Sequence, residues 1–206
     1  MSVHNNYIKP GTGMDVWGKQ LLELGKLLRD NILNQLGIPW VIENGILLGA
    51  YRTGKFITHD DDFDIALFFD SEPSCAEPDL LQNIQQLLPE PYQARYISTY
   101  CEKIEVYDPT FGSFILSGPN YKGANFHYVT ADLQFYQRFS DVYRQLYYAQ
   151  ANKVNIPEKV LFPLGSIEVE GETFPAHCDV TSYLKCNYGS LSPSAKFNPT
   201  TGFYEE

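Results

Sequence analysis

Asp60, Asp61, Asp62 and Asp64 place four carboxylates in five positions, and the apolar run Ile65-Ala66-Leu67-Phe68-Phe69 follows directly. Residues 62–68 read as a buried strand, and side chains on a strand alternate between its faces. Carried back to Asp60, that strand turns Asp60, Asp62 and Asp64 to one side and Phe63, Ile65 and Leu67 to the other, into a core. Three carboxylates on one face repel one another and are costly to desolvate. A divalent cation removes the conflict, and hard oxygen ligands suit Mg²⁺ or Mn²⁺. A calcium-binding EF-hand loop fits the opening Asp60-x-Asp62-x-Asp64 but needs Gly at its sixth position and Glu at its twelfth. Those places hold Ile65 and Ser71, so that loop is excluded. A solvated acidic turn fits poorly beside so many apolar residues. A metal site for phosphate chemistry is the favoured reading.

Metal-assisted phosphoryl transfer draws carboxylates from more than one element. Asp132, between Ala131 and Leu133 on an expected strand, is the natural extra ligand, and a half-exposed surface position is its alternative. The expected metal ligands are Asp60, Asp62, Asp64 and Asp132, with Asp62, Asp64 and Asp132 as the catalytic carboxylates. Gly45 and Gly49 flank a short helix whose first N–H groups could meet a phosphate. Glycine inside that helix is unfavourable by about 1 kcal/mol, so Gly49 implies close approach of another backbone or of a phosphate. Arg52 and Lys55 are placed to neutralise a diphosphate, or are ordinary solvated charges. His59 belongs beside the metal or on the surface. His127 and His177 carry no pattern and read as structural.

The elements that would hold these groups follow from periodicity. Trp17, Leu21, Leu24, Leu28 and Ile32 recur at helical steps after Asp15, a candidate N-cap, and the helix stops near Leu36-Gly37. Residues 38–43 form a short strand, and 46–51 the short helix. After the aspartate strand come a loop over 70–78, a helix over 79–88 and a strand within 96–107. Strands over 112–117 and 125–135 are joined by a hairpin loop at 118–123. In the second of these, Val129, Ala131, Leu133 and Phe135 share one face, and Thr130, Asp132 and Gln134 the other. Residues 137–151 read as a tyrosine-rich helix or long loop, and 156–164 as extended. A hairpin turns at Glu170-Gly171, and a closing helix over 178–188 buries Tyr183 and Leu184. The tail after Gly189 reads as irregular. This alternation gives an α+β fold with a mixed sheet flanked by helices. Residues 1–14 form an N-terminal arm and 15–206 a single domain.

Fifteen Lys and Arg against 25 Asp and Glu leave a net charge of −10, which argues against sequence-independent nucleic-acid binding. Cys75, Cys101, Cys178 and Cys186 show neither C-x-x-C pairs nor zinc spacing and read as reduced thiols. The opening residues lack the apolar stretch of a signal peptide, and no run approaches the roughly 20 residues of a membrane span. A cytoplasmic protein is expected.

Gly45-Ile-Leu-Leu-Gly-Ala-Tyr-Arg52, then Phe56-Ile57 and Asp60-Asp-Asp62-Phe-Asp64-Ile65, resembles the LicD/fukutin family, whose motif runs G-[TS]-L-L-G-x-x-R and then D-x-D-x-D-[IVL]. Ala131-Asp132-Leu133-Gln134-Phe135 is similar to its later aspartate strand. Leu161-Phe-Pro-Leu164, Phe174-Pro175, Tyr183-Leu184-Lys185 and Tyr188-Gly189 follow its C-terminal pattern. The likeness covers roughly residues 17–193. It implies a nucleotidyltransferase-like fold of the polymerase-beta type and metal-ligand roles for Asp60, Asp62, Asp64 and Asp132. It also matches Arg52 to the arginine that ends the family's short helix. Members move a phospho-group, such as phosphocholine or ribitol phosphate, from a CDP-activated donor to a glycan. The implied partners are therefore a CDP-linked donor and a glycan acceptor, with Mg²⁺ or Mn²⁺ as cofactor. Two positions depart from the pattern: Ile46 replaces Thr or Ser, and His59 replaces a common Trp. Fukutin-type members also carry an N-terminal membrane anchor, for which this sequence offers no apolar run.

A D-x-D nucleotide-sugar glycosyltransferase is the first alternative, although only one helix and one strand precede the motif here. A non-catalytic nucleotide- or glycan-binding relative is the second, with Ile46 as its support.

Overall fold

The computed structural model describes residues 11, 13–58, 60–71, 73, 77–98, 102–115, 125–146, 155–198, 200, 201 and 203–206. His59, Cys75, Cys101, the expected hairpin loop at 118–123 and most of the expected N-terminal arm lie outside them.

The chain opens with α1 (Met14–Asn31), then β1 (Trp40–Ile42), α2 (Asn44–Thr53), β2 (Phe63–Phe69) and α3 (Glu77–Leu87). Strands β3 (Gln93–Ile97), β4 (Lys103–Tyr107), β5 (Ser113–Ile115), β6 (Asn125–His127), β7 (Thr130–Phe139), β8 (Val142–Gln145) and β9 (Ile156–Pro157) follow. The chain continues through α4 (Glu158–Leu161), β10 (Gly165–Val169), β11 (Glu172–Ala176), α5 (Val180–Tyr188), β12 (Lys196–Asn198) and β13 (Phe203–Glu205). The fold is α+β, as expected. Its main sheet has the order β1-β2-β7-β4-β3, and β8 and β9 continue beside the far half of β7. β2 and β7 run parallel and the other pairs antiparallel, so the sheet is mixed.

Alternation along these strands divides the sheet into two chemically distinct faces. Phe63, Ile65, Ala131, Leu133, Ile104, Val106 and Ala94 share one face and are buried. This face packs on α1, whose Leu21, Leu24 and Leu28 recur on one side of the helix and are buried, and on α3 through Leu80 and Ile84. Gly25 is the contact point. A Cβ there would lie 2.5–2.9 Å from three atoms of the Phe63 ring, so only glycine lets the helix come this close.

Several expectations are corrected. Gly13, not Asp15, precedes the first turn of α1, and no side chain caps it. The region 96–107 is not one strand but parts of two, β3 and β4, which pair antiparallel. Residues 125–135 divide into β6, paired with β5, and β7 of the main sheet. Residues 137–145 continue β7 and form β8, where a helix or loop was expected. Tyr136 and Tyr143 explain the difference: their rings pack against Phe68, and an aromatic-rich strand pair buries them better than a helix would. The tail forms a hairpin, β12–β13, rather than an irregular end. The hairpin turning at Glu170-Gly171 is present as β10–β11, and Tyr183 and Leu184 are buried on α5 as expected.

Candidate active site

The polar face of the sheet carries the site. Backbone N–H of Glu43 donates to the Asp64 carbonyl at 3.1 Å, Asp64 pairs with Asp132, Asp132 with Glu105, and Glu105 with Arg95. Five charged residues thus form one transverse row across β1's exit, β2, β7, β4 and β3. Lys103 and Gln134 lie one step along, on the same face.

The local fold sets each carboxylate. β2 starts at Phe63, so Asp60, Asp61 and Asp62 precede it, and the strand does not extend back to Asp60 as expected. The chain bends at Asp62 and enters the sheet there. Asp62, Asp64 and Asp132 nevertheless converge: each offers a carboxylate oxygen within 4.8 Å of the others. Asp60, Asp61 and Asp62 form an adjoining group of the same kind. Asp64 and Asp132 are buried, and Asp62 is half-buried. This donor set is all carboxylate oxygen, drawn from β2, its lead-in and β7, and so could hold a hard divalent ion.

Burial pushes the Asp64 carboxyl well above the usual carboxylate range, and the neighbouring charges of Asp132, Asp60 and Glu43 push it further; Lys103 acts in the opposite direction. Gln134 Nε2 donates to Asp64 Oδ1 at 2.5 Å, and Gln145 Nε2 donates to Gln134 Oε1. Lys103 Nζ donates to Asp132 Oδ2 and lies 3.2 Å from Glu105 Oε1. Glu43 is fully buried and accepts from the Tyr136 and Tyr183 hydroxyls at 3.1 and 3.0 Å. Burial and the Glu43 charge raise both phenols well above their ordinary range, so both stay protonated and keep donating. Tyr188 is raised too, by burial first and then by the charges of Asp60, Asp64 and Glu43.

α2 and the link after it position the aspartates. Gly45 lies against Asp60: a Cβ there would sit 2.5 Å from the Asp60 Cγ. At Gly49 a Cβ would fall deep inside contact with the Lys55 carbonyl oxygen and 3.0 Å from Ile57 N, so the backbone explanation for this glycine holds. The turn of the β10–β11 hairpin clamps the link. Glu170 Oε1 accepts from Phe56 N at 2.9 Å, and Glu170 N donates to the Gly54 carbonyl at 2.8 Å. Met14 N, opening α1, donates to the Thr58 carbonyl at 3.0 Å. Lys55 is exposed on this link. Arg52 turns to the tail. Its Nε and Nη2 donate to the Leu191 and Ser190 carbonyls at 3.2 and 3.3 Å, and its guanidinium lies 4.6 Å from the Tyr204 ring centroid.

Sequence reasoning missed Asp61, Glu43, Lys103 and Glu105 as members of the site. Glu43 carried a usable signal, a carboxylate ending the apolar run Trp40-Val41-Ile42. Lys103-Ile-Glu105-Val alternates, but with 96–107 read as one strand its face could not be assigned.

A model of the LicD/FKTN/FKRP nucleotidyltransferase domain matches residues 37–179 of the 206, from the lead-in to β1 to the residue before α5. The chain belongs to the LicD/FKTN/FKRP family. The match takes in α2, the aspartate group, the strand with Asp132 and the clamping hairpin. A relative from Rickettsia prowazekii (strain Madrid E), the uncharacterized protein RP689, is 35% identical over 85 residues. That stretch is 40% of this chain and 29% of the relative, so the likeness spans under a third of that protein's length. Among the described residues of this LicD-family chain, no helix is long and apolar enough to cross a membrane.

Proposed function

We propose that this LicD-family chain moves a substituted phosphate group, phosphocholine or a phospho-alditol such as ribitol phosphate, from a CDP-activated donor to a glycan hydroxyl. The observation that carries the reading is the convergence of Asp62, Asp64 and Asp132 on one face of the sheet within 4.8 Å of one another. Those three, with Asp60 beside them, would hold Mg²⁺ or Mn²⁺. Such an ion would supply a Lewis acid for the diphosphate and would offset charge on the departing CMP. The family description, a nucleotidyltransferase domain, also supports a nucleotidyltransferase-type fold.

The protein's own groups divide the remaining work. Gln134 fixes Asp64 at one oxygen, and Lys103 fixes Asp132, so both carboxylates are held before any substrate arrives. A carboxylate of the group, Asp132 in our reading, accepts the proton of the attacking hydroxyl. The opening of α2 at Gly45 lies against Asp60, where its N–H groups are suited to a phosphate. Lys55 adds a cation on the same link. Arg52 would meet a phosphate only by leaving Tyr204 and the tail carbonyls.

The test is the fate of phosphorus. The chain is incubated with Mn²⁺, an acceptor glycan and CDP-choline or CDP-ribitol labelled at the distal phosphorus. A glycan product that carries the label, with CMP released, supports the proposal. A product free of label, or label found only in hydrolysed donor, counts against it.

A further inference from the structure

We propose that Lys103 is a positioning residue for the metal group, acting through Asp132, and that Glu105 and Arg95 anchor it as a relay running in from the sheet's edge. The inference rests on the reading of Asp62, Asp64 and Asp132 as that group. Lys103 is 4% exposed. A lysine buried this deeply forfeits much side-chain freedom and is seldom found without a charged partner. On β4 it alternates with Ile104 and Val106, which face the core, so the pleat itself delivers the ammonium to the carboxylate face.

Charges alternate along the relay. Arg95 donates to Glu105 Oε2 through Nε at 2.7 Å and lies 2.5 Å from it through Nη2. The guanidinium is itself held, by the Asn125 carbonyl at 2.6 Å and by the Tyr107 ring at 5.4 Å from its centroid. Glu105 Oε1 lies 3.2 Å from Lys103 Nζ, and Lys103 Nζ donates to Asp132 Oδ2. An ammonium has three donors on one atom, so it can grip both carboxylates at once. The result pins one oxygen of Asp132 and fixes the plane of its carboxylate, which leaves the orientation of the other oxygen determined. Groups that orient a metal ligand in this way typically govern metal affinity by about 10–100-fold.

A rival role is simple charge balance on a crowded acidic face. The two roles differ in sign. Removing a lysine that only balances charge makes the face more negative, so cation binding tightens. Removing one that orients a ligand loosens it. The experiment is a Mn²⁺ titration of the full chain without nucleotide, followed by electron paramagnetic resonance, for wild type, Lys103→Gln, Lys103→Arg and Glu105→Gln, with circular dichroism as the check on folding. Binding to Lys103→Gln is expected to weaken by about 10–100-fold. Lys103→Arg should recover part of that loss, and Glu105→Gln, which frees one anchor of the lysine, should show a smaller loss of the same sign. Equal or tighter binding by Lys103→Gln overturns the proposal. If Lys103→Gln does not fold, Arg95→Gln at the half-exposed end of the relay is read instead: weaker binding supports the relay and unchanged binding overturns it. A folded wild type that binds no Mn²⁺ overturns the metal reading itself, and the relay with it.

Discussion

His177 gives a sharp test of how the wall behind the carboxylates is built. It is 1% exposed, and neither ring nitrogen has a hydrogen-bond partner among the described residues. Its ring lies 3.9 Å from that of Tyr183, a ligand of Glu43, and 6.2 Å from that of Phe68. Burial pushes the imidazole down to about 3, against an ordinary value near 6.5. The folded pKa is depressed, so in the window between those values the unfolded chain binds a proton that the native protein refuses. Stability from this group is complete above pH 6.5 and is lost as pH falls toward 3. Between pH 7 and pH 5 the loss is about 2 kcal/mol, from a factor near 10 per 1.36 kcal/mol. The perturbation is His177→Leu, which cannot titrate. Urea unfolding of both proteins at pH 7 and pH 5 gives two stability changes, and contributions from all other groups cancel in their difference. Wild type is expected to lose about 2 kcal/mol more than the variant over that interval. Parallel losses would refute the reasoning, because they would mean that the imidazole takes up its proton in the folded state as readily as in water.

Other consequences follow from named contacts. Tyr136→Phe and Tyr183→Phe each remove a hydroxyl donor from the buried Glu43 and should each lower stability by about 1.5–3 kcal/mol, with the double variant losing more than the sum; denaturant midpoints decide this. Gly49→Ala sets a methyl against the Lys55 carbonyl, a backbone atom that cannot step aside, and should destabilise by about 1–3 kcal/mol despite better helix propensity, measured by thermal unfolding. Tyr204→Ala breaks the ring contact and Arg52→Ala breaks it together with two hydrogen bonds to tail carbonyls, so both should speed amide exchange in β12 and β13, the first by about fivefold for roughly 1 kcal/mol and the second by more. Unchanged exchange in Arg52→Ala would mean that this side chain does not hold the tail.

The sequence made the centre of the site readable because its constraints are local. Asp62, Asp64 and Asp132 each sit beside apolar residues, and such a carboxylate demands a partner wherever it occurs. Both aspartate strands could be given two faces from alternation alone, and their parallel pairing brings the marked faces together. Gly49 was legible for a related reason: an unfavourable residue in a helix implies a neighbour that needs the room. What could not be read depended on pairing between distant segments. Lys103 and Glu105 look like any alternating charges until β4 is set beside β7. Glu43 becomes a buried tyrosine acceptor only once α5 and β7 close over it. Arg52 looked like a phosphate ligand because it is close in sequence to the aspartate group, whereas its neighbours in space belong to the tail. Residues 137–145 resisted for another reason: tyrosines suit a helix or a strand, and here packing against Phe68 decides.

The most direct measurement is a thermal shift of the full chain with CDP and CMP against UDP and GDP, each with and without Mn²⁺, with the Asp62→Ala, Asp64→Ala double variant as control. A ligand at about 100 times its dissociation constant stabilises by about 2.7 kcal/mol, which for a chain of this size moves the midpoint by roughly 5–10 °C. The expected result is a rise of that order with cytidine nucleotides only, dependent on Mn²⁺ and lost in the folded double variant. An equal or larger rise with UDP, or no rise with any nucleotide, would contradict a metal-dependent transferase that draws on a CDP-activated donor.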